Sequence, residues 1–209
     1  MESKMFDYIC ETPAALTGII SRRKEITKDF VSRFKDVGIE QIYVIGSGTS
    51  YHAGLAAKLY LEELLGIKVF NMYPTQFARE EKVFNKNTLV IGMSQGGQSL
   101  STVEGLDSAR ERGLHTAAVS ENPTALIFEH ADTSTKIEVG NEKCGAKTKG
   151  YAGTTVTLMM MLTELAIAKS MVTEEKAAGY RERMLRVIGN LKKVIPGIIF
   201  RKNNKIIIN

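Results

Sequence analysis

Cysteine is scarce in this 209-residue sequence, and its two cysteines, Cys10 and Cys144, are far apart and match no metal-ligand spacing. Free thiols in a reducing compartment are the default reading. The three histidines, His52, His115 and His130, form neither H-x-x-H nor H-E-x-x-H, so no metal site is argued. No apolar run reaches the roughly 18 residues of a membrane span, and the opening MESKMFDYIC has no signal-peptide core. The expectation is a cytoplasmic protein with no membrane partner. The net charge is +5, but basic residues are scattered among Glu and Asp, and aromatics do not interleave with the basic stretches 21–24 and 201–205, which argues against a nucleic-acid partner. The hydrophobic content of 44% with 24% charged residues is that of a globular protein, and the length suits one α/β domain plus extra helices.

The chain is organised around residues 88–101. TLVIGM reads as a strand covered on both faces, SQGGQS as a turn, and the following residues as a helix. Gly96 and Gly97 allow a tight bend that brings bare N–H groups close to a ligand, while Ser94, Gln95, Gln98 and Ser99 add neutral hydrogen-bonding groups. Ser99 is a candidate N-cap for a helix whose unpaired N–H groups favour an anion. Two readings stand side by side: a turn that holds a phosphorylated ligand, or an ordinary strand-to-helix loop.

The same grammar recurs earlier. A strand at 42–45 runs into Gly46-Ser47-Gly48-Thr49-Ser50 and a helix from about 51 to 65. This is neither a dinucleotide fingerprint, which would need glycine at Tyr51, nor a P-loop, so Gly48, Thr49 and Ser50 suit a small phosphorylated metabolite. Around these units the sequence predicts one long amphipathic helix from Thr12-Pro13 to Gly38, strands at 67–70, 116–119 and 133–139, and a loop with a helical turn at 73–81. It also predicts helices at 102–112 and 122–130. A helix at 154–169, apolar around much of its circumference, is expected at a domain or dimer interface, and a helix capped by Thr173 runs to Val194. The glycine-punctuated stretch 140–151 carries Glu142, Lys143, Lys147 and Lys149. Glu142 could orient or deprotonate a sugar hydroxyl and the lysines could meet phosphate, or the stretch is a mobile loop of solvated charges. His52 has no visible carboxylate partner and stays unassigned.

GSGTS at 46–50, SQGGQS at 94–99 and the loop with Glu142 and Thr148-Lys149, in that order, resemble the sugar isomerase (SIS) domain family over residues 5–195. The branch resembled carries two tandem SIS domains, as in the isomerase part of glucosamine-phosphate synthase and in fructosamine-phosphate deglycases. The resemblance implies a three-layer α-β-α sandwich around a five-stranded parallel sheet in flavodoxin-like order. It also implies a phosphorylated sugar or amino sugar as ligand, no metal or organic cofactor, and a homodimer. Thr49 and Ser50 match the family's first ligand-binding turn, and Ser94, Gln95 and Ser99 its second. Where the family often has Ser-Gln-Ser-Gly-Glu-Thr, this chain puts Gly96 for the second serine, Gln98 for the glutamate and Ser99 for the threonine, so main-chain groups replace one side-chain contact. Glu142 falls at the family's acidic position and is the one catalytic candidate.

The domain expectation is a leading helix at 1–40, a SIS domain at 41–172, a C-terminal helix at 173–196 and a tail at 197–209 resembling the start of a second SIS domain. In tandem members the groups that move protons lie mainly in that second domain, so the chain reads as an N-terminal half that binds phosphosugar. The alternatives are a sensing module without turnover and a single-domain isomerase using Glu142 or His52 from a dimer.

Overall fold

The computed structural model describes residues 4–82, 84–145, 147–195, 198–200 and 206–208. Five parallel strands form its centre: β1 (Gln41–Gly46), β2 (Lys68–Met72), β3 (Thr88–Met93), β4 (His115–Ser120) and β5 (Thr133–Lys136), in the order β2-β1-β3-β4-β5. That flavodoxin-like order is the one expected. It places the carboxyl ends of β1 and β3 side by side, with Gly46 opposite Met93. In such sheets ligands bind outside the carboxyl ends where the strand order reverses.

Period-two alternation divides the strand side chains between two covering layers. Ile42 and Val44, Leu89 and Ile91, and Ala117 and Val119 join the larger core. The helices on that side are α1 (Lys4–Ser21), α2 (Arg23–Ile26), α3 (Lys28–Phe34), α4 (Thr49–Leu65), α7 (Lys149–Ala168) and α8 (Glu174–Val194). Tyr43, Ile45 and Val90 point the other way, against Phe77 of α5 (Pro74–Arg79) and Ala109 of α6 (Leu100–Glu111). Nearby, Ala118 meets Leu106 and the 3₁₀ turn Leu126–His130. α8 is tied down by charge as well as packing, through Arg23 Nη2 of α2 to Glu174 Oε1 at 3.7 Å and Arg181 Nη1 to Glu164 Oε1 of α7 at 3.8 Å.

Several boundaries differ from the sequence expectation. The leading helix begins at Lys4 with Pro13 inside it, and Thr12 is no cap: its hydroxyl donates to the Tyr8 carbonyl at 2.8 Å. It is also three pieces, interrupted at Arg22 and at Thr27, whose hydroxyl back-bonds to Arg23 O at 2.8 Å. α7 starts at Lys149 rather than 154 because Gly150 and Gly153 are sites of close approach inside a helix. A Cβ at Gly150 would lie 1.7 Å from Gln95 Nε2, and one at Gly153 would lie 2.1 Å from Val139 Cγ1. α7 is buried by the chain's own α1 and α4 rather than at a domain or dimer interface. By length and composition it is long enough and apolar enough to cross a membrane, in contrast to the sequence expectation, but 67% of its most apolar window is buried inside the protein.

The helix expected over 122–130 is confined to the 3₁₀ turn, because the Asn122 side chain accepts from Thr124 N at 3.0 Å and holds an Asx-type turn ahead of it. Strand pairing of β5 ends at Lys136, although burial of Ile137 and Val139 carries the alternation further. Residues 206–208 form a strand, β7 (Ile206–Ile208), which pairs antiparallel with β6 (Ile198–Phe200). Pro196, the last residue of the expected C-terminal helix, and Lys205 and Asn209 of the tail lie outside the described residues.

Candidate functional site

The two turns singled out in the sequence meet at the tips of β1 and β3. Gly48 takes a positive φ of 55° as the residue before α4, Thr49 is exposed, and Ser50 is buried with its N–H donating to Ser47 O at 3.2 Å. At the second turn Ser94 Oγ accepts from Gly97 N at 3.2 Å, and Ser94 N donates to Val119 O at 3.1 Å. Gly97 has φ 75°, and a Cβ there would lie 2.2 Å from that of Ala125, so both conformation and space require glycine. Gly96 is exposed at the turn's apex.

Ser99 caps α6 as expected, accepting from Thr102 N at 3.4 Å and Thr102 Oγ1 at 3.0 Å. Its hydroxyl also lies 3.1 Å from Ser101 Oγ, which is 3.3 Å from Ser47 Oγ. A line of three serine hydroxyls therefore joins the second turn to the first. The first helical N–H groups have no intrahelical acceptor, and the hydroxyl of Ser99 covers only one of them. The start of α6 thus combines uncommitted N–H groups, neutral hydroxyls and the positive end of a helix dipole, the chemistry that favours an anion.

Beside this turn lies a cavity of about 680 Å³, within the range of small-molecule sites. Gln95 and Gly96 form its edge toward the turn. Its charged lining is balanced: Arg22, Lys136 and Lys147 against Glu121, Glu138 and Glu142. Glu121 holds Gln95 Nε2 at 3.0 Å, and Arg22 pairs with Glu138. Of the expected site residues of the two turns, Gln95 and Gly96 line the cavity, and Gly48, Thr49, Ser50, Ser94, Gly97 and Ser99 do not.

Glu142 is 3% exposed and is not a solvated loop charge. Oε1 accepts from Thr148 N at 2.8 Å and Thr148 Oγ1 at 2.6 Å, and Oε2 from Gly150 N at 3.0 Å. Burial alone would push this carboxyl up, but the hydrogen bonds from Thr148 and Gly150, with Lys147 nearby, outweigh it and hold the group below the ordinary carboxylate range. A carboxylate so engaged is a weak base and a strong anchor for the start of α7. Lys147 Nζ donates to the Glu142 carbonyl at 2.7 Å. Lys149 is 4% exposed and paired with Glu11 at 2.5 Å, so it is not available to a phosphate without breaking that pair. His52 is exposed on α4, its ring edge-on to Tyr51 at 5.5 Å.

Among the described residues no group of His, Cys, Asp and Glu is arranged to hold a metal ion. Sequence reasoning missed Glu121, Asn122, Lys136, Glu138 and Arg22 as cavity walls. Glu121 and Asn122 follow β4 at the same carboxyl edge as the two turns and were open to the same argument. Arg22 carries no local signal, because only the tertiary fold brings the junction of α1 and α2 to β5.

An open parallel sheet with two glycine and hydroxyl turns at adjacent strand tips, and a polar cavity beside them, defines an α/β domain of the kind that binds small ligands at its carboxyl edge. The SIS domain model matches residues 38–168, and the chain belongs to the SIS domain family. It is similar to glutamine–fructose-6-phosphate aminotransferase (isomerizing) of Clostridium tetani, at 27% identity over 197 residues, covering 91% of this chain and 32% of that protein. A Clostridium difficile structure assigned as a phosphosugar isomerase superposes with a TM-score of 0.83 at 36% identity, over 90% of this chain and 53% of the other. The C-terminal domain of glucosamine-fructose-6-phosphate aminotransferase from Francisella tularensis gives a TM-score of 0.81 at 22% identity, over 94% and 55%, a likeness of fold alone. The chain thus spans about a third of the curated relative's length and about half of each solved chain.

Proposed function

We propose that this domain binds a phosphorylated sugar or amino sugar for isomerase, deglycase or aminotransferase-type chemistry. The phosphate is placed at the start of α6, against Ser99 and the main chain of Ser94, Gln95, Gly96 and Gly97, with Gly48, Thr49 and Ser50 of the first turn closing the other side. The sugar carbons extend past Gln95 and Gly96 into the cavity. The observation that carries this reading is the line of hydroxyls from Ser47 through Ser101 to Ser99 across the two strand tips. The balanced charge of the cavity supports a ligand with one phosphate, since a second would meet three carboxylates as well as three cations.

In chemistry of this kind the ring opens and a base moves a proton between neighbouring carbons, while fixed hydrogen bonds hold the phosphate end. The chain's contribution is then binding and orientation, with Glu142 positioning the cavity wall. Groups that move the proton come from a second SIS domain or from a second copy in a homodimer. The exposed Leu59 and Val187, beside an apolar groove between α4 and α8, favour the latter kind of contact. A cytoplasmic site of action fits a sugar-phosphate ligand. Sensing without turnover is not favoured, because the relatives are named as aminotransferases and isomerases.

Thermal shift with fructose 6-phosphate, glucosamine 6-phosphate, inorganic phosphate and unphosphorylated fructose tests the reading. Ligand at about 100 times Kd stabilises by about 2.7 kcal/mol, so the sugar phosphates raise Tm by several degrees and fructose does not. The absence of any rise at millimolar sugar phosphate overturns it.

A further inference from the structure

The family match begins at residue 38, yet one residue well ahead of it reaches the cavity. Arg22 lines the cavity and pairs with Glu138. Deeper in α1, Tyr8 and Glu11 hold the opposite side of loop 140–148. The Tyr8 hydroxyl accepts the N–H of Lys143 at 3.0 Å, the residue next to Glu142. The Tyr8 ring lies 4.8 Å under the Lys149 ammonium, and Glu11 Oε2 takes that ammonium at 2.5 Å. The loop is therefore tied to the N-terminus of α7 by Glu142 and to α1 by Lys143, while Glu11 ties the start of α7 itself to α1 through Lys149. Between Lys143 and Lys149 sits Lys147, a cavity wall.

We propose that Tyr8 and Glu11 are positioning residues of the ligand site: by fixing loop 140–148 from α1, they set the affinity for the sugar portion of the ligand and leave phosphate recognition untouched. This rests on the sugar-phosphate reading above. The division follows from the geometry. The phosphate turns are built on β1, β3 and α6, and among the described residues no hydrogen bond or ion pair joins them to Tyr8 or Glu11, whereas the cavity wall Lys147 lies between Lys143 and Lys149, the two residues held from α1. A loop released on one side samples more conformations, and the ligand must pay the ordering cost on binding.

The test compares the whole chain with Tyr8→Phe, Glu11→Gln and the rescue variant Glu11→Asp, none of which removes a buried apolar group. Hydrogen exchange is read without ligand: Tyr8→Phe is expected to speed exchange at the Lys143 amide while β3 amides keep their protection. Calorimetric titration then uses two probes. Fructose 6-phosphate affinity is expected to fall about threefold in Tyr8→Phe, as for loss of one exposed neutral hydrogen bond, and about tenfold in Glu11→Gln, as for loss of a charge-assisted one, with Glu11→Asp recovering most of it. Inorganic phosphate affinity is expected to stay within about twofold. Unchanged Lys143 exchange, unchanged fructose 6-phosphate affinity, or an equal fall for both probes overturns the assignment. Failure of the unaltered chain to bind fructose 6-phosphate overturns the functional reading instead, and is distinguished by that control.

Discussion

Of the helices that begin at the carboxyl edge of the sheet, α6 and α7 settle their unpaired N–H groups in opposite ways. α7 carries its own anion: Glu142 accepts from Thr148 and Gly150 and is buried doing so. α6 carries a neutral cap: Ser99 satisfies one N–H and leaves its neighbours and the dipole without a negative charge. A helix start that already holds a carboxylate has little to offer a phosphate, and one capped by a hydroxyl has much. Under the proposed function this difference gives different work to the two glycine-rich stretches 94–99 and 140–151, which look alike in composition: the first is to receive the phosphate, and the second builds a wall of the cavity.

The sharpest way to break this comparison is to remove the space that lets the second turn form. Gly97→Ala adds a Cβ 2.2 Å from that of Ala125 at a positive φ, and overpacking plus the left-handed backbone is expected to cost about 3 kcal/mol in chemical denaturation. Next comes the internal anion. Glu142→Gln places an amide where three donors converge, and is expected to cost about 2 kcal/mol.

The effect of Glu142 depends on pH. Its pKa is lowered in the folded protein, so its contribution is fully present above the ordinary carboxylate value and is lost as pH falls through the depressed folded value. The stability gap between the unaltered protein and Glu142→Gln therefore narrows in acid, and a gap independent of pH contradicts the charged-anchor account. Ser99→Ala is expected to cost about 1 kcal/mol as a lost cap, with no acid-linked component, and to weaken sugar-phosphate binding. Smallest in stability is Ser47→Ala, at an exposed hydroxyl: within about 0.5 kcal/mol by denaturation, but with a measurable loss of affinity if the hydroxyl line contacts the ligand.

The strands and both turns were legible because their signals are local. Continuous apolar runs mark buried parallel strands, and glycine with serine after a run marks the strand tip, so 88–93 and the capping role of Ser99 could be read directly. What was not legible depends on contacts distant in sequence. Thr12-Pro13 has the composition of a helix start, yet the helix continues upstream, where Tyr8 and Glu11 meet a loop more than 130 residues away. Gly150 and Gly153 read as breakers because sequence does not show that Gln95 and Val139 press against them. For Glu142, the two readings weighed were a catalytic carboxylate and a solvated charge, and burial with three donors is an arrangement that only the folded loop reveals.

The most direct test of the central claim is a ¹H–¹⁵N correlation titration of the whole chain with fructose 6-phosphate. The account predicts the largest shifts at the amides of 96–102, with smaller ones at 48–50, and little change at the Thr148 and Gly150 amides already held by Glu142. Shifts centred on the start of α7, with the start of α6 silent, would contradict it.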